Sequence, residues 1–293
     1  MATASSSTAV PVEVHGDVEA KGGSQKGAPV ARALPEVYEP SPEEIAKHCL
    51  THIPYRRWCR WCVAARIASA PHRSMPPFSR DRPLFVVDYC FLKHSGEEKF
   101  LTVAVGRSYP SRAIFACPCS TKGADPYATR RMAAFFRSCG MTNFTFMCDQ
   151  ESALRVMIDE ALHITRGRGE WVGGIPENSP VGESQSNGRA ERAVQALEDQ
   201  VRTLLGELED RLDVRFKADH AVVSWLVEYA AVLINKYHPV EATGLTAYQH
   251  LHGQPAGERL AYFGERDYSF SHRSADALIL ISDGPWGFTL VPS

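Results

Sequence analysis

Apolar residues recur along the middle of this chain with two different spacings. Short runs that are apolar or alternate in polarity predict strands at 84–92 (LFVVDYCFL), 99–105 (KFLTVAV), 112–117 (RAIFAC), 143–148 (NFTFMC) and 170–175 (EWVGGI). Polar turns between the first three suit antiparallel hairpins. Helical spacing governs the remainder. It predicts helices near 125–139 and 151–164, and a long helix after the polar stretch Ser184-Gln185-Ser186-Asn187-Gly188. In that long helix Val194, Leu197, Val201, Leu204 and Leu208 form one apolar face. A further helix over 217–236 has Val222, Trp225, Leu226, Tyr229, Val232 and Leu233 as its core positions. Three hairpin-like strands followed by alternating helices and strands imply a mixed α/β sheet flanked by helices.

The ends read differently. Residues 1–40 are rich in Ala, Ser, Gly, Pro and Val, carry no period, and are read as disordered. Ser41-Pro42-Glu43-Glu44 then has the form of a helix start, and Pro54 sets the limit of that helix. The segment 41–66 is a small module, 67–82 a basic linker, 83–240 the main domain and 241–293 a C-terminal extension read as truncated.

Composition narrows the class. The net charge is −2, so any nucleic-acid surface must be local. No apolar run reaches the roughly 18 residues of a membrane span. The first residues have neither the basic start nor the apolar core of a secretory signal. Eight cysteines in 293 residues are too sparse for a disulfide scaffold; most read as reduced core residues in a reducing, intracellular compartment.

Cys59 and Cys62 are the exception. They form a Cys-x-x-Cys, and His48 and His52 stand four apart on the first predicted helix, which puts both rings on one side. Two His and two Cys are a tetrahedral zinc set. A surface helix with two core thiols, or a redox pair, are the competing readings. From Arg56 to Arg80 there are six arginines and no acid, interleaved with Trp58 and Trp61. Arg56, Arg57 and Arg60 suit phosphate contacts, and a solvated basic loop is the alternative.

Three carboxylates stand out. Asp88 interrupts the first apolar strand, Asp149 follows the fourth, and Glu191 lies near the start of the long helix. Glu191 sits about 100° from the centre of the apolar face, in a stripe with Gln195, Glu198 and Arg202. If the first and fourth strands are neighbours, the three acids converge and call for a cation such as Mg²⁺. Glu151 and Asp159 read as a helix-start acid and a solvated acid.

These segments resemble a known family, the integrases of LTR retrotransposons (copia-like), within the retroviral integrase catalytic core and RNase H-like superfamily. FVVDYCF carries the first acid and CDQESAL the second. SPVGESQSNGRAERAV resembles the family's segment in which Gln or Asn and Gly precede a glutamate, and ATGLTAYQHLHG resembles the stretch after the core. HCLTHIPYRRWCRWCV stands where such proteins carry a His-His-Cys-Cys module. The motif selects Glu191 over Glu183, which lies 34 positions after Asp149 against 42 for Glu191.

The resemblance implies an RNase H-like five-stranded mixed sheet preceded by a small zinc-binding module. It implies Asp88, Asp149 and Glu191 holding two Mg²⁺ or Mn²⁺ ions, and structural Zn²⁺ on His48, His52, Cys59 and Cys62. It further implies Gln185, Asn187 and Arg192 at DNA, 3′-end processing and strand transfer on element ends and target DNA, a homo-oligomer, and action in the nucleus or in a cytoplasmic particle. Two departures accompany it. The gap between His52 and Cys59 is short, and Gln195 and Glu198 stand where relatives carry basic residues. An RNase H-like nuclease and an inactive nucleic-acid-binding remnant are the alternative readings.

Overall fold

The structure, a computed structural model, describes residues 38–66, 80–93, 100–148, 152–167, 173–177, 184–240, 243–257, 260–264, 277–281 and 288–292. The segment expected to be disordered and most of the basic linker lie outside these residues.

The centre is a five-stranded sheet. Strand β1 (Leu84–Leu92) pairs antiparallel with β2 (Leu101–Tyr109), and β2 pairs antiparallel with β3 (Ile114–Cys119). On its other side β1 runs parallel to β4 (Asn143–Cys148), which runs parallel to β5 (Gly173–Pro176). The order β3-β2-β1-β4-β5 is that of an RNase H-like sheet, as the sequence implies. β2 begins and ends later than its apolar run, at 101 and 109, because pairing with both neighbours carries Gly106, Arg107 and Ser108 into the ladder. β3 is likewise displaced by two residues toward the C-terminus.

Strand alternation sends side chains to two helical layers. On one face Phe85, Val87 and Tyr89 join a buried cluster with Phe144 and Phe146 and with helices α3 (Pro126–Ser138) and α4 (Ser152–Gly167). Phe85 and Phe136 meet edge to face at 5.2 Å, a geometry that adds to simple area burial. On the opposite face Cys90, Val103 and Val105 pack under helices α5 (Ser184–Leu212) and α6 (Ala221–Tyr237). Leu197, Val201, Leu204 and Leu208 are all buried, as their spacing predicts. Burying each stabilises by about 2 kcal/mol.

Three features hold the ends of elements. Asp125 caps α3, its carboxylate accepting from Tyr127 N (2.9 Å), Ala128 N (2.9 Å) and Ser120 N (3.0 Å). Burial raises this carboxyl, but backbone N–H groups from Ala128, Ser120, Tyr127 and Thr121 outweigh burial and hold it below the usual carboxylate range. Asn235 of α6 reaches the sheet edge, donating to Ile114 O (2.8 Å) and accepting from Ile114 N (2.7 Å). That closes part of the outer rim of β3 to a further strand. Helix α7 (Ala247–His252), after the core, has a Thr246–Gln249 capping box and ends on left-handed Gly253 (φ 72°). A separate hairpin joins β6 (Ala277–Ile281) and β7 (Phe288–Pro292).

Trp225, expected in the core, is 46% exposed. On α6 the inward stripe is Val223, Leu226, Val227, Ala230 and Leu233, so helical phase turns Trp225 out despite its size. No described helix is long and apolar enough to cross a membrane.

Candidate metal centres and catalytic face

The N-terminal module consists of two short helices. Helix α1 (Pro42–Cys49) starts at a capping box in which Ser41 Oγ accepts from Glu44 N (3.2 Å) and Glu44 Oε2 accepts from Ser41 N (2.9 Å). Helix α2 (Arg60–Ala65) follows Cys59. His48 lies in the last turn of α1, but His52 lies beyond the helix, in the left-handed region at φ 54°. The sequence reading placed both on one helical face. Instead the chain turns back after Cys49, with His52 N still donating to His48 O at 2.7 Å.

That turn closes a quartet. The donor atoms of His48, His52, Cys59 and Cys62 all lie within 4.8 Å of one another, and all four residues are buried. Cys62 Sγ is 3.4 Å from His48 Nε2, Cys59 Sγ is 3.4 Å from His52 Nδ1, and Cys62 Sγ is 3.9 Å from His52 Nδ1. A tetrahedral zinc ion with Zn–N and Zn–S bonds of about 2.05 and 2.3 Å needs N···S edges near ~3.6 Å. The donor set and these three edges therefore suit zinc. A hydrogen bond from Cys62 lowers the Cys59 thiol most; burial opposes it, and the imidazoles of His48 and His52 add to the lowering, so the thiolate is favoured. Cys49 is buried beside the quartet, and burial pushes its thiol up to about 11. All eight cysteines are free.

Trp58 and Trp61 pack on the ligand rings, with centroids 4.8 Å from His48 and 5.7 Å from His52. The module docks on α5. Gln200 Nε2 donates to Thr51 O (2.7 Å), Arg202 Nε to Ala65 O (3.1 Å) and Trp61 Nε1 to Asp210 Oδ2 (2.9 Å). Of the arginines suggested for DNA, Arg56 and Arg57 are exposed, and Arg60 pairs with Asp210 at 3.0 Å.

Asp88 stands on the α5 face of the sheet. Leu84 and Val86, on the same side of β1, pack with Met147, Tyr109 and Ala190; Cys90 lies in the cluster that contains Ala193. Asp88 falls between Val86 and Cys90 on that side, whereas Glu191 follows Ala190 on α5 about 100° further round the helix. Asp88 is half-buried and its Oδ1 accepts from Tyr89 N at 2.7 Å; Glu191 is exposed. The Cys90 thiol is pushed up to about 12 by burial, then by Glu198 and Asp88, which places both carboxylates close to it.

Strand β4 is the parallel neighbour of β1, as the convergence of the acids requires, and Cys148 pairs with Val87. Asp149 is the next residue in the chain and lies outside the described residues, as does Glu183. Among the described residues the His–Cys quartet is the only group of three or more metal donors. Gln185 and Asn187, expected in a loop, lie in the first turns of α5, which begins at Ser184. Arg192 is half-buried on α5. Sequence reasoning missed Arg107, Arg112 and Arg189, which gather beside this face from three different elements.

No family model matches the chain, and no curated protein matches it. Among solved structures, a simian T-cell lymphotropic virus intasome in complex with the PP2A regulatory subunit B56 gamma is similar at 16% identity and TM-score 0.43, over 66% of this chain. This chain spans 63% of that one. The HTLV-2 integrase catalytic core domain in complex with magnesium is similar in its trimeric form (12% identity, TM-score 0.37) and in its dimeric form (13%, 0.36). In both cases 58% of this chain covers 95% of that domain. By its own strand order and helix placement, the chain has an RNase H-like fold.

Proposed function

We propose that the chain is a retrotransposon-type integrase, a metal-dependent polynucleotidyl transferase that processes DNA 3′ ends and joins them to target DNA. The observation that carries this reading is the parallel pairing of β1 with β4 under α5. It aligns Asp88 with the end of the strand that precedes Asp149, and lays the helix bearing Glu191 over the same face. Met147, two residues before Asp149, faces α5.

In this reading Asp88, Asp149 and Glu191 hold two Mg²⁺ or Mn²⁺ ions. Bound there, the ions supply charge stabilisation to the attacking and leaving oxygens of an in-line displacement. The half-buried position of Asp88 fixes one carboxylate, and its hydrogen bond from Tyr89 N orients it. The exposure of Glu191 leaves the site open to a long polymer. A water oxygen first attacks a phosphorus near the DNA end, breaking its bond to the 3′ oxygen of the retained strand and leaving the phosphate on the released nucleotides. The freed 3′ hydroxyl then attacks a phosphorus of target DNA and displaces the target strand's own 3′ oxygen, so one phosphodiester forms as another breaks. Gln185, Asn187, Arg192, Arg56, Arg57 and Arg60 are assigned to DNA contacts. The quartet holds structural Zn²⁺ and docks the module on α5. The assembly is a homo-oligomer acting on chromosomal DNA in the nucleus, with a cytoplasmic particle as the alternative location.

The test uses labelled DNA ends and a target duplex with Mg²⁺ or Mn²⁺. Joined products of increased length are expected. Cleavage of RNA–DNA hybrid without joining would indicate an RNase H-like nuclease instead. Binding without either product would indicate an inactive remnant.

A further inference from the structure

Four arginines gather on the α5 face beside Asp88. Arg107 and Tyr109 are on β2, facing α5 as Val103 and Val105 do. Asp88 pairs with Val105 and Val86 with Arg107, so Arg107 is the diagonal neighbour of Asp88 on one face, about 7–8 Å away between backbones. Arg112 comes from the β2–β3 turn and Arg189 from the start of α5. Their guanidinium carbons lie 4.9 and 5.0 Å from the Tyr109 ring centroid. Arg192, one turn along α5, is among the groups that Arg107 feels.

This cluster is costly as bare protein. Burial depresses Arg107 most, and the guanidiniums of Arg112 and Arg192 add to the depression, against support from Tyr109. Its Nε is buried with no hydrogen-bond partner. Neither Arg107 nor Arg112 forms an ion pair with a described carboxylate. The nearby His238 imidazole is pushed down by burial and then by Arg107. Arg112 also adopts a left-handed backbone at φ 64°, an uncommon state for a long side chain that tends to persist at functional positions. Charge repulsion, an unpaired buried Nε and a strained turn are offset together if an anion joins the cluster.

We propose that Arg107, Arg112, Arg189 and Arg192 bind the sugar–phosphate backbone of the DNA strand that enters the acid site. Planar guanidiniums match phosphate oxygens two at a time. The cluster adjoins Asp88, so a strand held there presents a neighbouring phosphodiester to the acids. The chain's net charge of −2 gives no general attraction to DNA, which makes a local basic site necessary. This inference rests on the integrase reading for its ligand, and its test separates the two.

The full zinc-bound chain is titrated with a fluorescent 30-base-pair duplex at several salt concentrations, without added Mg²⁺. Removing one arginine–phosphate pairing should lower the slope of log affinity against log salt by about 1, a weakening of about eightfold at 0.1 M salt. Arg112→Gln with Arg189→Gln should therefore lose about two units of slope, and the corresponding lysine variants should retain it. Arg130→Gln, on the exposed side of α3, should change nothing. Arg107→Met should bind less tightly without melting lower, because a half-buried guanidinium with an unpaired Nε is gone. In the unaltered protein, DNA should slow amide exchange at the β2–β3 turn, a readout that needs no variant to fold. An unchanged slope in the double glutamine variant, or no protection of the turn, overturns the proposal. A reduced slope in a chain that never joins DNA would keep this site and reject the integrase reading. Joining that survives with an unchanged slope would do the reverse.

Discussion

Replacing Cys59 by serine should melt the five-stranded sheet and its helices earlier, although Cys59 lies outside them. Serine removes one thiolate from a quartet whose donor atoms lie within 4.8 Å, and a structural zinc site with three good ligands binds far more weakly. The module has almost no core of its own. Its buried side chains are mainly the quartet with Cys49, Thr51 and Ala65, so loss of a zinc ion held there would unfold it. The consequence passes to α5 through three hydrogen bonds: Gln200 to Thr51, Arg202 to Ala65 and Trp61 to Asp210. At about 1 kcal/mol each they contribute about 3 kcal/mol. The ion pair from Arg60 to Asp210 joins side chains 72% and 36% exposed, and adds little. For a domain of this size 1 kcal/mol shifts the midpoint by roughly 2–4 °C, so the expected fall is about 6–12 °C. Scanning calorimetry together with metal analysis measures it: one zinc per wild-type chain, none in the variant, and the lower melting temperature. A zinc-free variant melting at the wild-type temperature would refute the docking argument. Unchanged zinc content would refute the quartet itself.

Other expectations follow from single positions. Asp125→Ala should destabilise by about 2 kcal/mol in urea, since it removes the cap of α3. Because the folded Asp125 carboxyl is held below its ordinary range, its contribution is present above the unfolded pKa and disappears as pH falls through the folded value. The gap between wild type and Asp125→Ala should therefore close in acid, and a constant gap would contradict the assignment. Asn235→Ala should cost about 2–3 kcal/mol by leaving the Ile114 N–H and C=O unpaired at the sheet edge; a denaturation midpoint within error of wild type would show that water replaces Asn235 there. Gly106→Ala should cost about 1–3 kcal/mol, as a methyl group at that site would sit 3.0 Å from Val86 O and closer still to the Phe85 ring; equal stability would mean that the ring moves aside.

Much of this was readable in the sequence because the informative residues sit in strongly periodic segments. LFVVDYCFL announces a central strand, and the acid inside it is conspicuous because its neighbours are apolar. The His-His-Cys-Cys set was legible from residue type, but its geometry was not. Helical spacing predicted a shared face for His48 and His52, whereas a left-handed residue after α1 brings the second ring in. The start of α5 was missed because Ser-Gln-Ser-Asn-Gly are poor helix formers. Extending an established 29-residue helix costs little per residue once its packed part has formed. Trp225 was misplaced because the apolar residues of this helix fit two phases, through Val222 and Trp225 or through Val223 and Leu226, and packing on the sheet selects the second. The arginine cluster was invisible for a plain reason. Arg107, Arg112 and Arg189 come from a strand, a turn and a helix, and only the folded sheet brings them to one tyrosine ring.

The central claim is that Asp88, Asp149 and Glu191 hold divalent metal. Anomalous diffraction from a crystal soaked in Mn²⁺ tests it most directly. The account predicts a peak bound at about 2.1–2.2 Å by carboxylate oxygens of Asp88 and Glu191, with Asp149 completing the protein ligands, and no such peak in Asp88→Asn. Manganese at other carboxylates only, or a peak at this face that survives Asp88→Asn, would contradict it.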